Sequence, residues 1–567
     1  MNLTKEIQER SLEAGRSTLK EFDRETAAAY QVNCDLLMKI LRDNADTEYG
    51  RKYGFASISS VEEYQKRVPV IVYDDIAEQI ERMAGGEKNV LTAYSFTHLN
   101  NTSGTIGAMK LVPMTKEQTD VFFKYDYLLN VGVKDKYLDR AWVEGRAFAT
   151  SEGFHTTLPS GITVGSASSV MAECIHGGIE AYDSQTRALF TSPVEASLPS
   201  KGDDTKYIHS RFALMDQEMT GIITGFFSQV VLYMSYITDN YEMLIDDIEK
   251  GTISESVELL PETRKSLMRK ISPMPERAAQ LRSIFSNGSD FQWGPKVWPK
   301  LLYIRGVGAD GFSVYDRIIK ERYTGNGISC LYSGLSASEV LTSVCVKPDS
   351  PSSALIPSSA FFEFIPVDAG DDFSQIVTLD KVEVGKIYEV VATNLCGFYR
   401  YRTRDAVKIT GFYNQTPMLE FMYRTNRNIN LVGEKVTEKD LQWVVENTCD
   451  ELGLSLADFS VYADQQAVPG QYIFLIELFR RPAGLDKERF AEVLQKYMAK
   501  ASYIYGYEVG IGSIAPLKLL FLQPETSFLY RDMMVMRGAS ASQLKPVRII
   551  MNERQRRFFF RLVEDEE

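Results

Sequence analysis

The chain has only four histidines, His98, His155, His176 and His209, and none stands at a spacing that pairs metal ligands. Its six cysteines, Cys34, Cys174, Cys330, Cys345, Cys396 and Cys449, are scattered without a CxxC pair. That argues against a zinc cage or a disulfide framework and for reduced thiols buried as small apolar groups. A metal held purely by protein ligands is not expected. No long run of lysine or arginine occurs, and the formal charge is -13 over 567 residues. Neither general nucleic-acid binding nor adhesion to a membrane is therefore expected. The opening residues, MNLTKEIQERSLEAG, lack the apolar core of a secretory signal, and no segment approaches the roughly 18 uninterrupted apolar residues of a membrane span. A cytoplasmic protein is expected.

What is present is a long chain with ample apolar sequence, more than one hydrophobic core organises, so two or more domains are expected. Residues 3 to 43 have helical periodicity, with Leu36, Leu37, Ile40 and Leu41 on one face. Asp46 to Arg67 reads as polar and turn-rich, Val68 to Tyr73 as a short β-like run, and Lys116 to Val131 as a helix. Thr220 to Lys250 reads as a pair of core helices. From Trp298 onward, short apolar runs broken by glycine predict strands. Together these give an α/β fold: a large, multi-subdomain N-terminal domain over residues 1–430 with mixed sheets and flanking helices, and a smaller α+β C-terminal domain over 431–567. The smaller domain is predicted from helices at Glu438–Leu452, Asp486–Ala501 and Phe528–Arg537 and strands at Tyr472–Phe479 and Leu517–Leu522.

The stretch most suggestive of chemistry is FTHLNNTSGTIGAMKLVPMT, residues 96 to 115. Hydroxyls, glycines and exposed backbone N–H groups suit a polyphosphate, so Ser103, Gly104, Thr105, Gly107 and Lys110 are candidate nucleotide ligands. It is not a Walker loop, because Lys110 runs into Leu111, Val112 and Pro113, and proline stops a helix early. The loop is predicted to join two strands; an ordinary hairpin tip has the same composition. The segment LPSGITVGSASS, which contains Ser168, suits a ligand wall or a surface loop equally. Three further motifs accompany it. Leu335-Ser336-Ala337-Ser338-Glu339 ends in a carboxylate able to anchor Mg²⁺ on nucleotide phosphates, or to start a helix. In Tyr399-Arg400-Tyr401-Arg402-Thr403-Arg404-Asp405 the aspartate can accept from both ribose hydroxyls, or pair with Arg402. Lys435, in Gly433-Glu434-Lys435-Val436-Thr437, offers a point cation to a phosphoryl or carboxylate group, or to solvent.

The order T-S-G-T-x-G-x-x-K, S-x-S-E, F-F-E-F-I-P-V-D at Phe361 to Asp368, and Y-R-Y-R-x-x-D running on to Arg424 resembles the auxin-responsive Gretchen Hagen family of acyl-acid amido synthetases. The likeness continues through E-K-x-T-E-K-D-L at Glu434 to Leu441 and ends in R-G-A-S-x-x-Q-x-K-P-x-R at Arg537 to Arg548. It implies membership of the adenylate-forming superfamily. The implied reaction joins ATP and a small, aromatic or apolar carboxylic acid into an acyl-adenylate, then passes the acyl group to an amino acid and releases AMP. The resemblance also implies roles. Ser103, Thr105 and Lys110 hold phosphate; Glu339 holds Mg²⁺; Ser336, Ala337 and Ser338 border the α-phosphate; Asp405 holds ribose; Arg424 supports the nucleotide wall. Lys435 and Lys545 become catalytic cations, and Leu335 and Ser168 substrate contacts. The small domain is expected to be mobile and the protein a monomer. Leu335 stands where the family has an aromatic residue, and Arg404 where it has glycine. Two other readings stay open, an acyl-CoA ligase and a non-catalytic nucleotide-binding relative.

Overall fold

The computed structural model of the protein describes residues 3–101, 110–150, 155–165, 188–197, 203–286, 288–289, 291–308, 313–425, 431, 434, 436–539 and 544–564. Two helices open it, α1 (Leu3–Ala27) and α2 (Ala29–Asp43). Leu12, Gly15, Thr18, Phe22 and Thr26 recur every three or four residues along α1, and that stripe is its buried face. It crosses α3 (Leu129–Tyr137) at Gly15 and Gly132, where an added Cβ would lie 2.8 Å and 2.5 Å from the opposing backbone. Only glycine allows so close a crossing.

Among the described residues the strands form four sheets. In the first, β1 (Phe96–Asn101) pairs antiparallel with β2 (Leu111–Thr115), with β5 (Thr163–Gly165) and β4 (His155–Thr157) beyond it in the order β2-β1-β5-β4. The second is parallel throughout, ordered β3 (Ala147–Ala149), β6 (Gly221–Phe226), β7 (Tyr303–Val307), β8 (Ser329–Tyr332). The third has seven strands, β9 (Ser343–Val344), β10 (Ser353–Leu355), β11 (Phe361–Pro366), β12 (Val377–Thr378), β13 (Ile387–Thr393), β14 (Tyr401–Tyr413) and β15 (Thr416–Arg424), ordered β12-β11-β13-β14-β15-β10-β9. The last, β16 (Leu456–Asp464), β17 (Gly470–Leu478) and β18 (Ile514–Phe521), accompanies α5 (Glu438–Leu452) and a helix at Lys487–Ala501. The α/β class holds.

Three local expectations fail. Thr220–Lys250 is not a helix pair but strand β6 followed by one helix, α4 (Phe227–Lys250). Ile222, Ile223 and Thr224 favour extended backbone, and a Cβ on Gly221 would fall 2.2 Å from the Tyr303 ring on the next strand. Asp46–Arg67 contains two short helices, Glu48–Tyr53 and Val61–Arg67, started by side-chain caps: Thr47 Oγ1 accepts from Gly50 N at 2.9 Å and Ser60 Oγ from Glu63 N at 3.2 Å. Val68–Tyr73 makes no strand. Pro69 has no N–H to give a ladder, and Ile71 makes only an isolated bridge to Tyr401.

One buried cation has a measurable consequence for stability. Lys134, on α3, is 7% exposed, with its Nζ 4.1 Å from the Trp142 ring centre and 5.0 Å from that of Tyr303. Burial, reinforced by the nearby Arg305 charge, pulls its pKa from 10.5 down to about 7. Between these values the unfolded chain binds one more proton than the native one, so stability rises with pH from about 7 to 10.5 and the full penalty is felt below 7. At 1.4 kcal/mol per pKa unit the penalty is about 5 kcal/mol. Lys134→Met is therefore expected to stabilise the protein by up to about 5 kcal/mol at pH 6 and to flatten the rise above pH 7 in urea melts. An unchanged pH profile would show that Lys134 is charged in the fold.

Candidate active site

The hairpin of β1 and β2 closes with Asn101 opposite Leu111, as expected of a loop that joins two strands. Ser103, Gly104, Thr105 and Gly107 lie outside the described residues, as do Ser168 and Lys435. The flanks of the loop are fixed by Tyr73, whose hydroxyl accepts from Leu111 N at 2.8 Å and donates to Leu111 O at 3.2 Å. Lys110 Nζ lies 5.1 Å from the centre of the same ring. On β1, Asn100 is fully buried; its Nδ2 reaches Ser338 O at 3.4 Å, and its Oδ1 has no hydrogen-bond partner among the described residues. A buried amide oxygen left unpaired is a place for water or ligand.

Glu339 does not start a helix. Ala337 and Val340 exchange backbone hydrogen bonds at 2.9 Å and 3.2 Å, and Ser336 bridges Leu341, so Ser338 and Glu339 form the tip of a tight turn. This turn follows β8, at the C-terminal edge of the parallel sheet, where open α/β sheets place their ligands. Gly334 allows the turn to press against the chain, since a Cβ there would stand 2.0 Å from Ser343 O. Leu335 packs partly buried against the central-sheet core, and its N–H donates to Ser343 Oγ at 2.9 Å.

Asn394 Nδ2 donates to the Glu339 carbonyl at 2.6 Å, and Tyr401 Oη donates to Glu339 Oε1 at 3.1 Å. Burial, with the Glu339 carboxylate beside it, pushes the Tyr401 phenol well above its ordinary value; Tyr73 shifts the same way, mainly from burial, with Glu339 adding to it. Glu339 thus acts on both strand systems at once. Asp405 is 3% exposed and faces Arg424 across β14 and β15; Arg424 Nε donates to Asp405 Oδ1 at 3.0 Å. The Asp405 charge first, and Glu339 next, hold the Arg424 guanidinium above its usual range. Glu339, Tyr401, Asp405 and Arg424 therefore share one field, with carboxylate oxygens to spare for hydroxyls or a cation.

The alternative reading of Asp405 as a partner of Arg402 does not hold. Arg402 binds Glu389 through two bonds, 2.7 Å and 2.9 Å, and reaches Asp371 at 2.5 Å. Alternation along the strand sends Tyr401 and Arg402 to opposite faces, so the motif divides its labour between site and scaffold. Arg404 stands in the left-handed region, φ 65°, inside an irregular stretch of the β13–β14 ladder, and its carbonyl accepts from Thr425 N at 2.8 Å. The backbone is the one glycine adopts freely. Arg404→Gly is expected to raise stability by about 1 kcal/mol in urea melts, since the guanidinium stands 3.9 Å from Glu389, too far for a strong ion pair. A loss of stability would mean the side chain holds the bulge.

Lys545 lies elsewhere on the same edge of the parallel sheet. Its Nζ is 5.9 Å from the ring centre of Phe226, at the end of β6, in a 40 Å³ cavity shared with Ser228, Tyr315 and Asp458. Phe227 meets Tyr332 of β8 with ring centres 5.8 Å apart, which ties this end of β6 to the strand leading into the Glu339 turn. No hydrogen bond or ion pair among the described residues joins Lys545 to Glu339, Asp405 or Arg424. Tyr73, Asn100, Asn394 and Tyr401 were not singled out from sequence. Tyr401 stands inside a recognised motif; for the other three, only the fold brings them to the Glu339 turn and its flanking hairpin. The described residues contain no cluster of three or more His, Cys, Asp or Glu side chains able to hold a metal. They also contain no helix long and apolar enough to cross a membrane.

Comparison with known proteins matches the chain to three models in succession: the GH3 family N-terminal domain over residues 18–328, the central domain over 353–424 and the C-terminal domain over 439–554. The chain belongs to the GH3 family. A putative indole-3-acetic acid-amido synthetase GH3.9 of Arabidopsis thaliana is 28% identical over 94% of both chains. The jasmonoyl-L-amino acid synthetase GH3.5 of Oryza sativa subsp. japonica is also 28% identical over 94% of both. Among solved structures, the GH3.15 acyl acid amido synthetase superposes with a TM-score of 0.85 over 96% of each chain at 24% identity. A 2-hydroxyisobutyryl-CoA ligase in its postadenylation state shares the broader fold, with a TM-score of 0.50 at 11% identity over 96% of this chain and 91% of its own. Of the residues named above, Lys110 and Asn100 fall in the N-terminal segment, Tyr401, Asp405 and Arg424 in the central one, and Lys545 in the C-terminal one.

Proposed function

We propose that this GH3 protein is an ATP-dependent acyl-acid amido synthetase that activates a small aromatic or apolar carboxylic acid and conjugates it to an amino acid. The observation that carries the reading is the convergence of Glu339, Tyr401, Asp405 and Arg424 beside the hairpin whose loop is rich in hydroxyls and glycine. Sequence relatives named as amido synthetases over nearly the whole chain support it.

In the first half-reaction a carboxylate oxygen of the acid attacks the α-phosphorus of ATP, the P–O bond to pyrophosphate breaks, and a mixed anhydride forms. In the second, the neutral amine of the amino acid attacks the anhydride carbonyl carbon, the C–O bond to AMP breaks, and the nitrogen gives up one proton to solvent as the amide forms. Asp405 accepts from the ribose hydroxyls through the oxygen that Arg424 leaves open, while Arg424 keeps the carboxylate aimed. Tyr401 and Asn394 fix Glu339 from two sides, so its carboxylate meets the phosphates without reorganising. Mg²⁺ would sit on Glu339 and neutralise phosphate charge; one half-exposed carboxylate suits an ion that keeps most of its shell from phosphate and water. Ser103, Gly104, Thr105, Gly107 and Lys110 take the phosphates, Ser336, Ala337 and Ser338 border the α-phosphate, and Leu335 and Ser168 contact the acid. Lys435 and Lys545 supply catalytic charge from a C-terminal domain over 431–567 that moves against the N-terminal domain over 1–430 between half-reactions. The protein acts as a cytoplasmic monomer.

The deciding experiment is acid-dependent ATP–pyrophosphate exchange across a panel of carboxylic acids, followed by AMP release on adding amino acids or CoA. Exchange with one acid class and AMP release with an amino acid are expected. Release with CoA alone would make the chain an acyl-CoA ligase, and nucleotide binding without exchange would make it a non-catalytic relative.

A further inference from the structure

Away from that site, a cavity of about 650 Å³ opens between α6 (Thr526–Met536) and α7 (Glu553–Arg561). Arg537, Arg554, Arg557 and Arg561 line it together with the one carboxylate of Glu553, over a floor that includes Met533 and Phe558. On α7 the arginines at 554, 557 and 561 follow the i, i+3, i+7 rule of a single face. Arg556 is turned away, with its guanidinium 5.6 Å from the ring centres of both Tyr462 and Phe560. Tyr530 of α6 holds the walls together, its ring centre 5.1 Å from Phe558 and 5.2 Å from Phe559. Burial raises the Tyr530 phenol, while the Gln555 side chain and the charges of Arg554 and Arg537 act to lower it.

Four like charges on one cleft repel, and the chain does little to balance them. Among the described residues only Arg557 has a carboxylate partner, Glu553 at 3.0 Å, and Glu553 also serves Arg556 at 3.2 Å. Among the described residues Arg537, Arg554 and Arg561 have none, in a chain of net charge -13. Arg537 and Arg561 each stand at the C-terminal end of a helix, α6 and α7, where a cation complements the helix dipole. Arg554 does not. The cavity has the volume of a small-molecule site, and guanidinium forks match the oxygen geometry of phosphate groups.

We propose that this cleft is a second, non-catalytic binding site for a small ligand carrying two or more phosphate groups, held by Arg537, Arg554, Arg557 and Arg561. The test uses inorganic tripolyphosphate titrated calorimetrically into the full-length protein in magnesium-free buffer at several salt concentrations. Saturable binding that weakens with salt is expected, and Arg554→Gln/Arg561→Gln should lower the affinity at least about tenfold. The same variant should keep acid-dependent pyrophosphate exchange within twofold of the parent, which separates this site from the catalytic one. Arg554→Lys/Arg561→Lys keeps the charge and loses the forks, so its affinity should fall between the two. Absence of binding, or an unchanged affinity in a Gln variant whose melting temperature matches the parent, would overturn the proposal. So would loss of binding to phosphatidylserine vesicles with tripolyphosphate affinity unchanged, which would make the cleft a membrane contact.

Discussion

Asp405→Ala is expected to lower acid-dependent pyrophosphate exchange by about 100-fold or more, because hydrogen bonds to a charged group contribute about 1.5–3 kcal/mol each and two ribose hydroxyls lose their acceptor. The substitution also leaves Arg424, whose partner is at 3.0 Å, facing the nucleotide without a counter-charge. Asp405→Asn keeps the shape and one acceptor, so its loss should be nearer tenfold. The effect should appear mainly in the KM for ATP, since ribose is held alike in ground and transition states. If Asp405→Ala exchanged at the parent rate, ribose recognition would have to lie elsewhere and the assignment of this strand end would fail. Tyr401→Phe gives an independent reading of the same cluster, because it removes only the hydroxyl at 3.1 Å from Glu339.

The second large effect concerns stability. Arg400 is 5% exposed and has φ 48°; its guanidinium makes two bonds of 2.9 Å to Glu363 and two of 2.8 Å to the carbonyls of Gln65 and Val68. Glu363 is fully buried on β11. Arg400→Met leaves that carboxylate without its cation and frees two carbonyls, so a loss of about 3–5 kcal/mol is expected in urea melts. Arg400→Met/Glu363→Met should recover much of it, since replacing both ions by apolar groups removes the desolvation penalty along with the attraction. A single variant within 1 kcal/mol of the parent would mean that water reaches the pair. The tyrosine beside it shows the same anchoring: Tyr399 is fully buried and donates to Leu91 O at 2.8 Å.

Regular elements with strong periodicity were legible. The helix at Glu438–Leu452 agrees to the residue, with Thr437 as its cap, and the strands near Tyr472 and Leu517 differ only at their ends. Strand β6 was not legible. Its apolar residues run on into those of α4, and a short apolar run has no period by which to separate strand from helix. Residues 336 to 339 were recognisable as a hydroxyl-rich turn, but that Glu339 meets Tyr401 depends on β14 passing β8's exit, which no local pattern encodes.

The order of residue types along the chain was enough to determine the α/β class and the family, because these depend on composition, local periodicity and motif order. Tertiary structure alone decided how the Tyr-Arg-Tyr-Arg run divides: Tyr401 and Asp405 to the site, Arg400 and Arg402 to buried carboxylates. The reason is that an ion pair is chosen by distance and solvent exclusion, and its partners, Glu363, Glu389 and Arg424, lie on other strands whose register only the assembled sheet fixes.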